Sequence, residues 1–200
     1  ARWPGTYTAE QGYLLGLLMG DGTLKQDEAV LSVWRSAAVA NGPDAALSQG
    51  AQAVMAEALR AAHTLSHRAD FRGWSEVSGR GEYRLKLSAL RDLAFEAGLR
   101  PGDKRITPVL EQASSDCTRG FLRGFFDADG SVQGGQDKGV SVRLAQSDLG
   151  RLEAVQRMLL RLGIASTIYR NRRDSDHDLV ITGANVARFA ELVDFADTIK

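Results

Sequence analysis

Two aspartates, Asp21 and Asp129, each follow an apolar, helix-like stretch and each precede a glycine. The stretches, residues 14–22 and 122–130, are near-copies, and their aspartates are 108 positions apart in a chain of 200 residues. A carboxylate is disfavoured at the C-terminal end of a helix, and two neighbouring carboxylates also repel each other. A divalent cation relieves both penalties, and hard oxygen ligands suit Mg²⁺. The repeat therefore points to metal-dependent phosphodiester chemistry, with one acid from each half.

The small residues of the repeat predict how the helices that carry the aspartates meet. Residues 13–20 are all apolar or glycine, so this helix has no solvent face and must be buried. Gly16 and Gly20 are four positions apart, as are Gly124 and Ala128, and this spacing lets two backbones approach closely. We expect the two helices to pack together at the centre of the molecule. The simpler interpretation is that each motif is only a buried helix ending in an Asp-Gly turn.

Both stretches resemble the LAGLIDADG motif of the homing endonucleases carried by inteins and mobile introns. The second copy matches the family word at six of nine positions, and the first copy matches at five, with Met19 in place of the first acid. Residues 104–108 resemble the Lys-x-Ile-Pro block between the two halves of intein endonucleases, with one residue inserted before the proline. Residues 189–195, followed by Lys200, resemble the block that closes the second half. The resemblance covers essentially the whole chain.

The resemblance implies a monomeric, intein-type enzyme that hydrolyses both strands of a long, specific site in double-stranded DNA. It implies that Asp21 and Asp129 hold Mg²⁺, and we assign Gly20 and Ala128 to the same metal site. Ca²⁺ is expected to support DNA binding without cleavage. Lys104 and Lys200 are expected to order or activate water and to offset charge on the phosphate; a solvated lysine is the simpler interpretation of each. Relatives of the fold also act as RNA maturases or transcriptional regulators, so a non-cleaving nucleic-acid-binding protein is the alternative.

The order of helix-like and strand-like segments predicts an α+β fold with two similar halves. Each half reads as helix, two strands, helix, two strands, helix, so two αββαββα subdomains related by a pseudo-two-fold axis are expected. We place the halves at residues 1–98 and 116–200, with residues 99–115 as the linker. Each half is expected to contain a four-stranded antiparallel sheet, and the two sheets together would form a long saddle for DNA.

Alternating residues on the strands suggest which side chains face the DNA. Arginine and lysine on such a face contact phosphates or guanine edges, although these residues could also form an ordinary solvated face. An arginine-rich segment at a hairpin of the second half reads as a phosphate contact, but three aspartates lie close behind it. The predicted DNA-facing residues are Arg35, Arg72, Trp74, Glu76, Arg84, Lys86, Ser141, Arg143, Tyr169, Arg170, Arg172 and Arg173.

Composition limits the remaining possibilities. The chain has 25 basic and 25 acidic residues, whereas nucleic-acid binders usually carry a basic excess, so DNA binding requires charges to be segregated onto one face. Its single cysteine, Cys117, excludes an internal disulfide and suits a reducing cytoplasm, in a bacterial or phage context. No apolar run is long enough to span a bilayer. The chain has neither a nucleophilic first residue nor a terminal His-Asn pair, so we do not expect it to splice by itself.

Overall fold

The computed structural model describes residues 2–34, 47–135, 139–170 and 176–200. The elements of the first half are α1 (Ala9–Met19), β1 (Gly22–Leu24), β2 (Ala29–Trp34), α2 (Gln49–Ala62), β3 (Trp74–Val77), β4 (Glu82–Lys86) and α3 (Ser88–Glu96). A short helix, α4 (Pro108–Glu111), lies between the halves. The elements of the second half are α5 (Ser115–Asp129), β5 (Gly130–Gly135), β6 (Gly139–Gln146), α6 (Leu149–Arg161), β7 (Thr167–Tyr169), β8 (His177–Thr182) and α7 (Ala184–Leu192).

The two halves share one topology. Each contains a four-stranded antiparallel sheet, with strand order β1-β2-β4-β3 in the first half and β5-β6-β8-β7 in the second. The corresponding pairs Gly22–Leu31 and Gly130–Leu144 fix which positions of the two sheets are equivalent. The predicted α+β fold with two αββαββα halves is therefore confirmed. Within the described residues, no helix combines the length and the apolar character that crossing a membrane requires.

Hydrogen-bonding side chains at their N-termini fix where the two central helices begin. The Thr8 hydroxyl accepts from the backbone of Gln11, and the Gln11 side chain accepts from the backbone of Thr8, which forms a capping box before α1. Ser114 accepts from the backbone of Cys117 and so caps α5. These caps set the start of each helix, and the helix length then determines where the aspartate at its other end lies.

Helices α1 and α5 pack directly against each other at the centre of the molecule, as predicted. Four glycines lie in this contact, and a Cβ atom on any of them would come within 2.0–2.2 Å of a carbonyl oxygen of the facing helix. These glycines are Gly12 and Gly16 in α1 and Gly120 and Gly124 in α5. At the aspartate end, a Cβ on Gly20 would lie 2.4 Å from the Cβ of Ala128. The repeat therefore brings the ends of the two helices together.

Candidate active site

The close helix packing brings the two aspartates of the motifs to one place. Asp21 follows the C-cap of α1, and Asp129 is the last residue of α5. A Cβ on Gly20 would lie 3.3 Å from both Cγ and Oδ1 of Asp129, so this carboxylate lies against the backbone immediately before Asp21. Asp129 is partly buried, whereas Asp21 reaches solvent. The two acids thus share one site at the end of the central helix pair.

The two carboxylates are electrostatically unfavourable as neighbours. Although Asp21 reaches solvent, partial desolvation by the surrounding protein, followed by repulsion from Asp129, raises its pKa to about 6. Partial burial likewise raises the pKa of Asp129, against the effects of a hydrogen bond from Gln146 and of nearby cations. Both carboxylates are therefore less stable as anions than ordinary aspartates, and a bound cation would stabilise them.

Lys104 from the segment between the halves reaches the C-terminal end of α1. Its Nζ donates to the carbonyl oxygens of Leu18, Gly20 and Gly22 at 3.2, 3.2 and 2.8 Å. Burial lowers the pKa of the ammonium group, while Asp129 and Asp21 act in the opposite direction. The positive charge stabilises the negative end of the helix dipole behind Asp21.

Lys200 occupies the equivalent place at the end of α5. Its Nζ donates to the carbonyl oxygens of Phe126 and Asp127 at 3.2 and 2.6 Å. Burial lowers its pKa as well. The structure therefore brings the two predicted lysines together with Asp21 and Asp129, and the bonds it shows for both lysines go to backbone carbonyl groups at or just beyond the helix ends.

A glutamine and an arginine that the sequence did not single out complete the second half of the site. Gln146 donates to Asp129 Oδ2 at 2.6 Å, and Arg151 donates to Gln146 Oε1 at 2.7 Å. The strand register makes Val33 the counterpart of Gln146 in the first half. The only signal for Gln146 in the sequence was a polar residue at the end of this strand, where the equivalent strand of the first half has valine. The site is therefore asymmetric, because valine offers Asp21 no equivalent hydrogen bond.

Asp127, the first acid of the second motif, has a structural position. It is buried and accepts from the Tyr13 hydroxyl at 2.9 Å and from the backbone of Ala196 and Asp197 at 3.0 and 3.1 Å. It thereby connects α1 to the segment that leads to Lys200. The counterparts of Tyr13 and Asp127 in the repeat are a buried phenylalanine and a buried methionine. An apolar pair thus replaces a hydrogen-bonded pair, which explains why the first motif tolerates methionine at this position.

Tyr13→Phe is expected to lower the free energy of unfolding by about 1–3 kcal/mol, because Asp127 then loses a hydrogen-bond donor inside the protein. Urea denaturation followed by circular dichroism measures this loss. Tyr169→Phe is the matched control, because Tyr169 is 60% exposed, and its unfolding curve should match that of the parent protein. Equal stability of Tyr13→Phe and the parent would show that the hydrogen bond is not needed.

The strand register of the first sheet decides which residues face away from the helices. Leu85 is fully buried and pairs with Leu31, which places both on the side covered by helices. Arg84 and Lys86 alternate with Leu85 and so lie on the uncovered face. Ser32, the register partner of Arg84, lies on the same face.

Three other predicted positions of the first sheet differ from this arrangement. Trp74 pairs with Leu85, and its indole N–H donates to the carbonyl oxygen of Met55 in α2 at 2.8 Å, so it faces the helices. Alternation puts Glu76 on the side of Trp74. Arg72 is exposed, and because it precedes β3 it has no paired residue in the strand register. The predicted face was wrong for Trp74 and Glu76, because this segment mixes apolar and polar residues at both sets of alternate positions, whereas Arg72 stays a prediction.

In the second sheet, Ser141 and Arg143 lie on the uncovered face, and Arg143 Nε donates to the Ser141 hydroxyl at 3.2 Å. Tyr169, which pairs with Asp178, is exposed. Arg170 forms an ion pair with Glu153 of α6 at 3.0 Å, which places it on the helix side of the sheet, and its contact with a phosphate stays a prediction. The remaining predicted residues, Arg35, Arg172 and Arg173, lie outside the described residues.

Sequence comparison finds a family model that matches the second half of the chain. Residues 116–194 match the model of the LAGLIDADG-like domain. The chain is also 28% identical, over 174 residues, to elongation factor 2 of Methanopyrus kandleri. The match covers 86% of this chain and 12% of that protein, so the chain spans about an eighth of this curated relative.

Structural comparison covers nearly the whole chain and shows its fold. The crystal structure of I-DmoI in complex with DNA and Mn is similar with a TM-score of 0.55 at 18% identity, and the match covers 93% of this chain and 96% of that chain. The N-terminal LAGLIDADG domain of DUF199/WhiA is similar with a TM-score of 0.54 at 17% identity, covering 96% of this chain and 86% of that chain. This chain therefore has the fold of these LAGLIDADG structures, with two motif-bearing halves, and its second half matches the model of the LAGLIDADG-like domain.

Proposed function

We propose that this protein is a site-specific endonuclease that hydrolyses both strands of a long double-stranded DNA site with Mg²⁺ held by Asp21 and Asp129. The observation that carries the proposal is the convergence of two repeated carboxylates, each with a partly buried lysine beside it, at the end of one helix pair. A protein that only binds nucleic acid has no need for two acids that repel each other. DNA complexes of the homing endonuclease I-DmoI, obtained with Mn, Mg or Ca, support this choice.

The donor set fits Mg²⁺. Among the described residues, there is no group of three or more histidine, cysteine, aspartate or glutamate side chains that could enclose a metal. Mg²⁺ does not require such a cage, because it is usually bound through one or two carboxylates, with waters and substrate phosphates completing the shell. We include the carbonyl groups of Gly20 and Ala128 in the proposed site. The carbonyl of Gly20 already accepts from Lys104, so its binding to a metal would compete with this hydrogen bond.

In the proposed mechanism, the protein positions groups around the scissile phosphates. When bound, Mg²⁺ would lower the pKa of the water molecule that it holds and would stabilise the leaving 3′ oxygen. Lys104 and Lys200 are fixed by carbonyl groups and hold positive charge where the phosphate gains negative charge. Gln146, itself held by Arg151, fixes the orientation of Asp129. This pair lies in the second half alone, among the described residues, so we expect the two strands to be cut at unequal rates.

The uncovered sheet faces support an asymmetric target sequence. Ser32 and Arg84 of the first sheet occupy the positions of Ala145 and Asp178 in the second. Because equivalent positions carry different side chains, the two halves of the site would have different sequences. Both motifs lie in one chain, so we propose a monomer as the active form. The match to about an eighth of an elongation factor supports an origin as part of an inserted element such as an intein.

The same fold in WhiA supports a second candidate, a LAGLIDADG-fold protein that binds nucleic acid without cutting it. The experiment that separates the two begins with selection of randomised duplex DNA on the protein in Ca²⁺. The recovered pool is then transferred into Mg²⁺ and sequenced for cut ends. A long consensus that is cut supports the endonuclease. A consensus that stays intact supports a DNA-binding regulator, and preference for folded RNA over DNA supports a maturase.

The proposed metal site predicts a specific pH dependence. Metal binding requires ionised carboxylates, and Asp21 has a pKa of about 6. The apparent affinity for Mg²⁺ should therefore be constant above pH 7 and fall as the pH drops through 6, by roughly tenfold at pH 5. Calorimetric titration of the protein–DNA complex at several pH values, in buffers with different ionisation enthalpies, measures both affinity and proton release. Affinity independent of pH between 5 and 8 would contradict the role of Asp21.

A further inference from the structure

We propose that Arg84 reads a guanine in the half of the target that contacts the first sheet, and that Glu82 and Ser32 hold it in the conformation that does so. This inference rests on the proposed DNA binding and names one DNA base that the protein would recognise. The uncovered face of the first sheet carries an unusual feature, a buried glutamate on the side that no described helix covers.

Glu82 is only 1% exposed, although strand alternation places it on the uncovered face with Arg84, on the side opposite to the buried Leu85. A buried carboxylate is costly unless it is fully hydrogen-bonded. Glu82 receives three hydrogen bonds, from Arg84 Nε at 2.6 Å, from Arg84 Nη2 at 2.9 Å and from the Ser32 hydroxyl at 2.8 Å. Glu82 thus binds one arginine through both carboxylate oxygens, and Ser32 holds the carboxylate in place.

The geometry leaves one edge of the guanidinium group available. Arginine has five N–H donors in a planar fork, and Glu82 takes Nε–H and one hydrogen of Nη2. Within the described part of the chain, the Nη1 donors have no acceptor, and the arginine side chain is 34% exposed. Nη1 and the second hydrogen of Nη2 form a two-donor edge, which matches the O6 and N7 acceptors of guanine in the major groove. Because the guanidinium plane is already fixed, less side-chain entropy is lost on binding.

The other described cations on the uncovered faces, Lys86 and Arg143, lack this arrangement. Lys86 is 55% exposed and lies 3.3 Å from Glu28, and its ammonium group is a point charge that suits phosphates. Arg143 donates to a serine hydroxyl, which is a weaker anchor than a carboxylate. In the second sheet the counterpart of Arg84 is Asp178, which cannot donate to guanine. Among the residues that the structure describes, one arginine, in the first half, is therefore singled out.

The test is the selection of randomised DNA in Ca²⁺ with the parent protein and three variants. Arg84→Lys keeps the charge but loses the fork, so a single guanine in one half of the consensus should lose its preference by on the order of tenfold to a hundredfold. Glu82→Gln and Ser32→Ala should weaken the same preference partially, because the guanidinium group is then less fixed. Lys86→Gln should instead weaken binding to all sequences equally and reduce the salt dependence by about one ion.

Arg157→Lys is the matched control, because Arg157 makes the same two-bond contact with Glu111, but on helices α6 and α4 rather than on a sheet. Its consensus should equal that of the parent protein. An unchanged guanine in the Arg84→Lys and Ser32→Ala consensus would overturn the inference and leave the endonuclease proposal intact. If the parent protein enriches no DNA sequence at all, the proposed function fails, and the inference fails with it. Ser32→Ala removes only a hydroxyl group, so it provides the test even if Arg84→Lys does not fold.

Discussion

Replacing Asp21 or Asp129 by asparagine should abolish double-strand cleavage while the protein still binds its DNA target in Ca²⁺. Asparagine keeps the size of the side chain but removes the negative charge that holds the metal. A catalytic metal contributes several kcal/mol to stabilisation of the transition state, so each variant should cut at least about a thousandfold more slowly. Cleavage of a selected target in Mg²⁺, with nicked and linear products separated on a gel, measures the loss. Cleavage at the parent rate by either variant would eliminate the two-acid site.

Asp92→Asn is the control for this pair of variants. Asp92 is 62% exposed on α3 and forms an ion pair with Arg91, so its replacement should change neither binding nor cleavage. Comparison with this variant separates the loss of one particular carboxylate from the loss of any negative charge.

The stability of the metal-free protein provides a second test of the asparagine variants of Asp21 and Asp129. A carboxyl group whose pKa is raised on folding, as for Asp21, destabilises the folded state once the pH exceeds the pKa of the same group in the unfolded chain. The penalty is absent below the pKa of an unfolded aspartate, grows between about pH 4 and 6, and is complete above about pH 6. Asp21→Asn should therefore make the metal-free protein more stable at pH 8. If the aspartates were structural, the variant would instead be less stable.

The sequence predicted the helix ends better than the sheet faces. The repeat placed Asp21 and Asp129 correctly because helix geometry converts a spacing of four into a shared face. It missed Gly12 and Gly120 because the recognised motif copies begin after them, although the helix contact continues in that direction. The face of Trp74 was not predictable, because alternation gives two faces but not which one is covered; the contact with α2 decides that.

The repeat also could not predict the asymmetric part of the site. Gln146 and Arg151 act on Asp129 through contacts formed by β6 and α6, and the first half has valine at the position of the glutamine. An internal repeat shows only what the two halves share. Features that have no counterpart in the repeat, such as the Tyr13–Asp127 hydrogen bond between the halves, emerge only from tertiary packing.

Gly16→Ala and Gly124→Ala should each destabilise the protein, although alanine favours helix formation over glycine by about 1 kcal/mol. The new Cβ atom at Gly16 would lie 2.1 Å from the carbonyl oxygen of Phe121, and that at Gly124 would lie 2.2 Å from the carbonyl oxygen of Tyr13. Both partners are backbone atoms of a central helix, so the helices must move apart. Overpacking of this kind costs typically about 1–3 kcal/mol, which lowers the Tm of a protein of this size by on the order of 5 °C.

The same movement should slow cleavage, because the contact between α1 and α5 sets the separation of Asp21 and Asp129. Thermal unfolding and cleavage measured on the same preparations test both effects. Gly150→Ala is the matched control: Gly150 is exposed in the first turn of α6, and the nearest atom to a Cβ there is the carboxylate oxygen of Asp148 at 3.2 Å. Asp148 caps α6 by accepting from the Arg151 backbone, and it has to shift by only a few tenths of an ångström, so Gly150→Ala should be close to neutral. A Tm for Gly16→Ala equal to that of Gly150→Ala would show that the helices can separate without loss, and that close helix packing is not what holds the two acids together.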